Sequence, residues 1–346
     1  MEAEGNGILM EKGPGAPVFP SDAGTKDRRV TSVELQGNGV SSRIGTDLRR
    51  SQVGRTISAR PSRDGTGWMF LALLVIWTLA LGWKIWEGKA NLWPVIYGWA
   101  FFETFNKVLS FVVAMDPKFL SNLQPRHVDS FLNTAVSLLH STAISIAVVS
   151  LLIDEHREQG IARMWRHEVL TQKAWPGAHT VLGFSCGYFA YDQWDMLRRR
   201  LYKPRAPSVL THHLVLLTCF VVALFKNSCI NYLILTLVCE VHSVFLHLRK
   251  VILLAGVNRA WGHLLRIEWL LNWIAFFTAR CAVHIMITAK LVQDRLKFER
   301  GTVELPLASL GMLGLNVLNF LLGLGLWKAF KRERSGRLDS TKVAED

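Results

Sequence analysis

From Trp68 onward the chain alternates long apolar blocks with short polar joints. The first block is Trp68–Trp86, "WMFLALLVIWTLALGWKIW", followed by Leu92–Ala114, Val128–Ile153 and Gly177–Leu197. Ser208–Phe225, Cys229–Leu248, Leu265–Lys290 and Leu307–Trp327 complete the series. Each is roughly the 18–25 residues needed to cross ~30 Å of hydrocarbon as a helix. A soluble amphipathic helix of that length keeps one polar face, and several of these blocks show almost none. The pattern predicts an all-α polytopic membrane protein with about eight transmembrane helices. The second block is the weakest span. It holds Glu103 and Lys107 at i,i+4, a spacing at which opposite charges pair on one helix face.

The polar remainder sets the boundaries. Residues 1–66 are rich in Gly, Ser, Pro, Arg and Asp and show no periodicity, which predicts a disordered tail. Eight acidic residues there argue against a transit peptide. The expected organisation is a tail at 1–66, two membrane helices at 67–120, a six-helix domain at 121–330 and a second tail at 331–346.

Net charge is +13, which in a soluble domain would suggest nucleic acid. Here the positive charge sits beside the apolar blocks, as membrane topology requires, and no zinc-finger spacing or base-reading helix occurs. Nucleic acid is therefore not an expected partner. An even number of spans puts both tails on one side. The joint 198–207, "RRRLYKPRAP", has five basic residues and no acidic one. The C-terminal tail opens "KAFKRERSGR", whereas 154–176 mixes acids and bases. The positive-inside rule then predicts cytoplasmic termini. The chain ends without a KKxx-type signal, so plasma membrane and endoplasmic reticulum both stay open. The five cysteines lie in or beside apolar blocks with no metal-ligand spacing, so neither disulfides nor structural zinc is expected.

Against this apolar background a few polar residues share a depth. His212 and His213 sit about one turn inside the fifth block. Counting equal distances along the neighbouring blocks brings Asp192 and Glu240 to nearly the same level, roughly 8 Å from the boundary at 1.5 Å per residue. Consecutive hairpin helices are usually neighbours. Tyr188, Asp192 and Asp195 fall on one face of the fourth block, and Glu240, Ser243 and His247 on one face of the sixth. Asn133, Ser137, His140 and Ser141 line one side of the third. Intramembrane ionisable groups rarely face lipid, so these faces predict a common polar chamber. His212, His213, Glu240 and Asp192 are the candidate catalytic residues. Tyr188, Asp195, Ser243, His247 and His140 are candidate cavity residues. Arg198, Arg199, Arg200 and Arg249 stand at the expected cytoplasmic mouth. A neutral imidazole level with a carboxylate can serve as a general base whose tautomer the acid fixes. A single His pair is too few ligands for a di-iron centre, so no metal is expected. No G-x-S-x-G occurs to support serine catalysis.

At these residues the sequence resembles the TRAM–LAG1–CLN8 (TLC) domain family, over roughly 121–330. The likeness runs from "NTAVSLLHSTAIS" through "FSCGYFAYDQWDML" and is strongest over "LTHHLVLL" and "LTLVCEVHSVFLHLRKVI". Within the family it is most similar to the branch of TLC domain-containing proteins 1 and 2, implicated in setting phospholipid composition and fluidity of the plasma membrane. The resemblance implies a six-helix bundle around a lipid-sized cavity with the His pair inside. Ceramide synthases share the domain. Their motif places His-Asp-x-x-Asp about 28 residues after the His pair. Here Glu240 stands at the first Asp position and Ser243 at the second, and Leu216 replaces an expected threonine. Charge is kept at one acid and lost at the other.

Three functions are then in view. The first is a lipid-homeostasis protein that handles a phospholipid or acyl chain in the His/acid site. The second is an acyl-CoA-dependent N-acyltransferase of ceramide-synthase type, acting on a sphingoid base or related amine. The third is a non-catalytic trafficking factor. Membrane lipids are the expected partners. No cofactor is expected, and acyl-CoA enters only as the co-substrate of the second reading.

Overall fold

The computed structural model describes residues 65–88, 91–117, 119, 123, 125–203, 207–256, 262–299, 301 and 303–335. The predicted tail at 1–66 lies outside the described residues except for Gly65 and Thr66, which begin the first helix. Residues 336–346 of the second tail also lie outside them.

Every apolar block becomes helix, and the described residues contain no strand. α1 is Gly65–Trp86, α2 Trp93–Met115, α3 Pro125–Gln159, α4 Ala178–Arg199 and α5 Ser208–Lys226. The sixth block is broken into α6, Ile230–Thr236, and α7, Glu240–Leu254, by a 3-10 turn at Leu237–Cys239. The seventh runs as α8, Gly262–Ala275, through a π-helical segment at Phe276–Ala282, into α9, Val283–Asp294. α10 is Glu304–Arg334. Local chemistry sets the ends. α2 has Pro94 in its first turn, where the missing N–H costs nothing. Gly160 and Gly177 flank the joint between α3 and α4 with positive φ. α3 and α10 outrun their apolar blocks into the charged stretches "DEHREQ" and "KRER".

Among the described residues, five helical stretches are long and apolar enough to cross a membrane: Gly65–Trp86, His127–Gln159, Ser208–Lys226, Leu264–Asp294 and Glu304–Arg334. The second, fourth and sixth blocks miss that standard, so composition alone does not carry the expected count of eight. α4 shows why. It packs against α1, α2, α3 and α5, and Asp192, Gln193 and Asp195 are all buried. A helix surrounded by helices has no lipid to satisfy and can hold charge on its inner faces. The outer helices do the reverse. Ile76, Leu79 and Trp83 of α1, Leu270 of α8, and Leu310 and Phe320 of α10 are exposed. Apolar surface on this scale belongs in lipid. The protein is a multi-pass integral membrane protein.

The α2–α4 crossing is the closest contact around α4. A Cβ on Gly187 would lie 2.2 Å from the Val95 carbonyl oxygen, and one on Gly98 2.3 Å from that of Phe184. Gly183 and Gly187 form a G-x-x-x-G step, the small-residue spacing that lets helix backbones meet in a bilayer. The tight turn between α5 and α6 is fixed at the other end of the bundle. Asn227 and Cys229 both take positive φ. The Cys229 N–H donates to the Thr171 carbonyl at 2.9 Å, and Asn231 Nδ2 donates to Val169 and Lys173 carbonyls at 2.6 and 2.8 Å.

Candidate functional site: an intramembrane histidine–carboxylate chamber

α4 supplies the centre of the site. Asp192 Oδ1 accepts a hydrogen bond from Asn133 Nδ2 at 2.6 Å. Its Oδ2 faces His213 Nε2 at 3.6 Å. Asp192 and His213 are both buried, so their attraction is weakly screened. His213 Nδ1 is buried and has no hydrogen-bond partner. The ring packs on Phe189, one turn before the end of the Tyr188–Asp192 face, with centroids 5.4 Å apart. A carboxylate on one ring nitrogen and an unengaged second nitrogen is an arrangement suited to accepting a proton.

A second carboxylate enters from α7. Glu240 Oε2 accepts from Ser141 Oγ at 2.7 Å and lies 3.9 Å from His140 Nδ1. His140 is fully buried; its Nε2 meets Ser185 Oγ at 3.0 Å, and its ring stacks on Tyr188 with centroids 3.6 Å apart. The break in the sixth block makes this possible. The 3-10 turn starts α7 at Glu240, and a 3-10 interruption inside a long helix often marks a functional position.

The structure sorts the expected residues into two groups. Asp192 meets His213 as the depth count predicts, while Glu240 goes to His140 and Ser141. Adjacent positions point about 100° apart on a helix, so the His pair divides. His213 turns to α4. His212 lies within electrostatic reach of Arg280 and His284, with its Nδ1 buried and unpartnered. Ser243 and Tyr188 join the chamber, and His247 acts electrostatically on His140 from α7. Asp195 is held elsewhere. It accepts from Arg198 at 2.6 Å, Arg199 at 2.8 Å, and Asn106 and Asn133 at 3.2 Å each. Arg199 also pairs with Asp129. Asp195 thus closes a structural ion-pair cluster and offers no free oxygen to a cavity. Arg198 and Arg199 are spent on it, leaving Arg200 exposed at the end of α4. Arg249, expected at an open mouth, is buried instead. It pairs with Glu268 at 2.6 Å and with Glu333, whose carboxylate also accepts from Trp269 Nε1. The Glu103–Lys107 pair forms at 3.3 Å.

One residue central to the site is absent from the sequence expectation. Arg280 lies in the π-helical segment and is buried. Its Nε donates to His242 Nδ1 at 2.9 Å. One terminal nitrogen donates to Ser243 Oγ at 2.7 Å and the Cys239 carbonyl at 3.3 Å, and the other to Asn319 at 3.4 Å. The 3-10 turn and the π segment therefore brace each other. His242 must then donate from Nε2 to Asn272 Oδ1, 3.1 Å away. Asn272 donates in turn to Glu268 at 3.0 Å. The readable signal was an arginine inside "FFTARCAVHIMITAK", because an intramembrane cation marks a site by default. Among the described residues, no three His, Cys, Asp or Glu side chains group as metal ligands.

The TLC domain model matches residues 130–328, which runs from the first turns of α3 into α10 and takes in every residue of the chamber. The chain belongs to the TLC domain family. It is similar to TLC domain-containing protein 2 of Danio rerio, 26% identical over 186 residues, covering 54% of this chain and 69% of that protein. It is also similar to TLC domain-containing protein 2 of Mus musculus, 35% identical over 80 residues, covering 23% of this chain and 26% of that protein. No solved structure gives a significant match. The TLC match begins three residues before Asn133 and ends just past Asn319, so the α3–α7 chamber and the Arg280 network belong to one domain.

Proposed function

We propose that this TLC domain protein regulates membrane phospholipid composition and fluidity by handling a lipid or acyl chain in the α3–α4–α5–α7 chamber. The carrying observation is the buried His213–Asp192 pair at 3.6 Å, enclosed by helices whose outer faces are apolar. Polar groups at such depth cost free energy unless they serve packing or chemistry. The unpartnered imidazole nitrogens of His212 and His213 favour a ligand over packing alone. The site opens, on this reading, toward the cytoplasmic side where both termini lie, in the plasma membrane or the endoplasmic reticulum.

The test is purification of the full chain in mild detergent, followed by extraction and mass spectrometry of the lipid that stays bound. Wild type should retain one lipid class that His213→Ala loses while still folding. A wild-type protein free of specific lipid would contradict the reading.

A second reading, acyl-CoA-dependent N-acyl transfer, is favoured by His213, whose Nε2 faces Asp192 while its buried Nδ1 has no hydrogen-bond partner. The imidazole takes the proton of an amine. The amine nitrogen bonds to the thioester carbonyl carbon, the C–S bond breaks, and the coenzyme A thiol leaves with a proton. Arg200 and Lys203, both exposed, remain to meet coenzyme A phosphates. Turnover of acyl-CoA with an amine in wild type, absent in Asp192→Asn, is the outcome this reading needs.

A further inference from the structure

Beside the chamber runs an apolar slot between α5, α6, α9 and α10, with Leu216, Cys219, Thr236, Ile287, Gly311 and Leu315 on its walls. One end is closed by the ion pair Lys226–Glu304 at 2.7 Å. On α10 the slot extends from Glu304 to Leu315, roughly 16 Å at 1.5 Å per residue. That equals about half of a ~30 Å hydrocarbon core, the reach of one acyl chain.

The other end of the slot is polar. The Thr236 carbonyl meets His284 Nε2 at 3.3 Å, and His284 Nδ1 meets Asn319 Nδ2 at 2.6 Å. Asn319 leads to Arg280. Leu315 is one turn from Asn319, and Leu216 one turn from His212. Arg280 therefore stands where the slot meets the chamber. All its hydrogen-bond partners are neutral, and among the described residues no carboxylate comes within 4.0 Å of it as an ion pair. Glu240 interacts with it electrostatically, and Ser243 hydrogen-bonds to both. A buried guanidinium normally pairs with an anion. Two other arginines of α4 and α7 obey that rule: Arg199 has Asp195 and Asp129, and Arg249 has Glu268 and Glu333.

We infer that Arg280 is the anion-binding residue of this site: it receives the carboxylate or phosphate head of a lipid whose single chain fills the apolar slot. The proposal rests on the reading of the chamber as a lipid site, and adds the charge of the ligand and the direction in which it lies. The head sits at Arg280 beside the unpartnered Nδ1 of His212, and the chain ends toward Lys226–Glu304.

Direct binding to the full chain in detergent tests it, with radiolabelled hexadecanoate as probe and unlabelled hexadecanol or hexadecanoyl lysophosphatidate as competitors. Hexadecanol has the same chain and no charge. The anionic probes should bind wild type at least about tenfold more tightly than the alcohol, the scale of one charge-assisted hydrogen bond. The tighter of the two anions identifies a carboxylate or a phosphate head. Arg280→Gln should bring acid and alcohol to equal affinity. Arg280→Lys, which keeps charge and loses the fork, should narrow the preference and serves if the Gln variant does not accumulate. Gly311→Phe, which fills the slot from α10, should remove binding of all three. Equal binding of alcohol and acid to wild type overturns the role of Arg280 and leaves the lipid site standing. A full preference retained in Arg280→Lys and Arg280→Gln overturns it as well. Absence of all binding to wild type overturns both readings.

Discussion

Asp192 and Asp195 stand one turn apart on α4, both buried, and the structure holds them in opposite ways. Asp195 accepts hydrogen bonds from two arginines and two asparagines, with both of its oxygens engaged. Asp192 is anchored by Asn133 alone and turns its second oxygen to His213. Asn133 donates to both, so the aspartate of the ion-pair cluster and the one facing His213 share a donor. A buried acid saturated by cations fixes helices. A buried acid held by one neutral donor and aimed at an imidazole is available for function. The spacing that put both on one face could not separate them. Arg198 and Arg199, at i+3 and i+4 from Asp195, were the local sign of its commitment.

Four substitutions press on that contrast. Asp195→Ala should have the largest effect on folding. It strips two arginines of their shared partner, a loss of about 3–5 kcal/mol for a broken buried pair, and should leave little monodisperse protein in size-exclusion chromatography. Gly187→Leu comes next. Its side chain meets the Val95 carbonyl and forces α2 from α4, an overpacking cost of about 1–3 kcal/mol read as a lowered Tm. Asp192→Asn should change Tm little, since interhelical hydrogen bonds average ~0.6 kcal/mol, yet should remove the lipid effect in cells. Equal destabilisation by Asp192→Asn and Asp195→Asn would erase the distinction. Glu240→Gln keeps Ser141 as partner and should shift the lipid profile least. If it matched Asp192→Asn, Glu240 would be the orienting acid.

Much of this architecture was legible because apolar length is a local property. All eight blocks became helix, although α3 and α10 run well past their blocks and the sixth is broken by a 3-10 turn, and the depth count brought Asp192 to His213. What escaped depends on packing between helices. The 3-10 turn before Glu240 and the π segment around Arg280 support each other across α7 and α9, and neither has a mark of its own in the sequence. Arg249 read as a loop cation, but its partners Glu268 and Glu333 come from α8 and from the far end of α10. The His pair read as one unit. A helix sends neighbours to different faces, so His213 joins Asp192 while His212 lies within electrostatic reach of Arg280. The glycines of α4 stand in the sequence as G-x-x-x-G, but only the α2 backbone packed on them gives the spacing its meaning.

On the proposed function, the buried histidines set membrane lipid composition. The most direct measurement is lipidomics on matched cells expressing wild type or the His212→Ala, His213→Ala double variant at equal total and surface levels. A shift in one lipid class with wild type, and a profile like that of untransfected cells with the double variant, is the expected result. An equal shift from both would contradict the claim and leave the His pair as packing in a scaffold or trafficking protein.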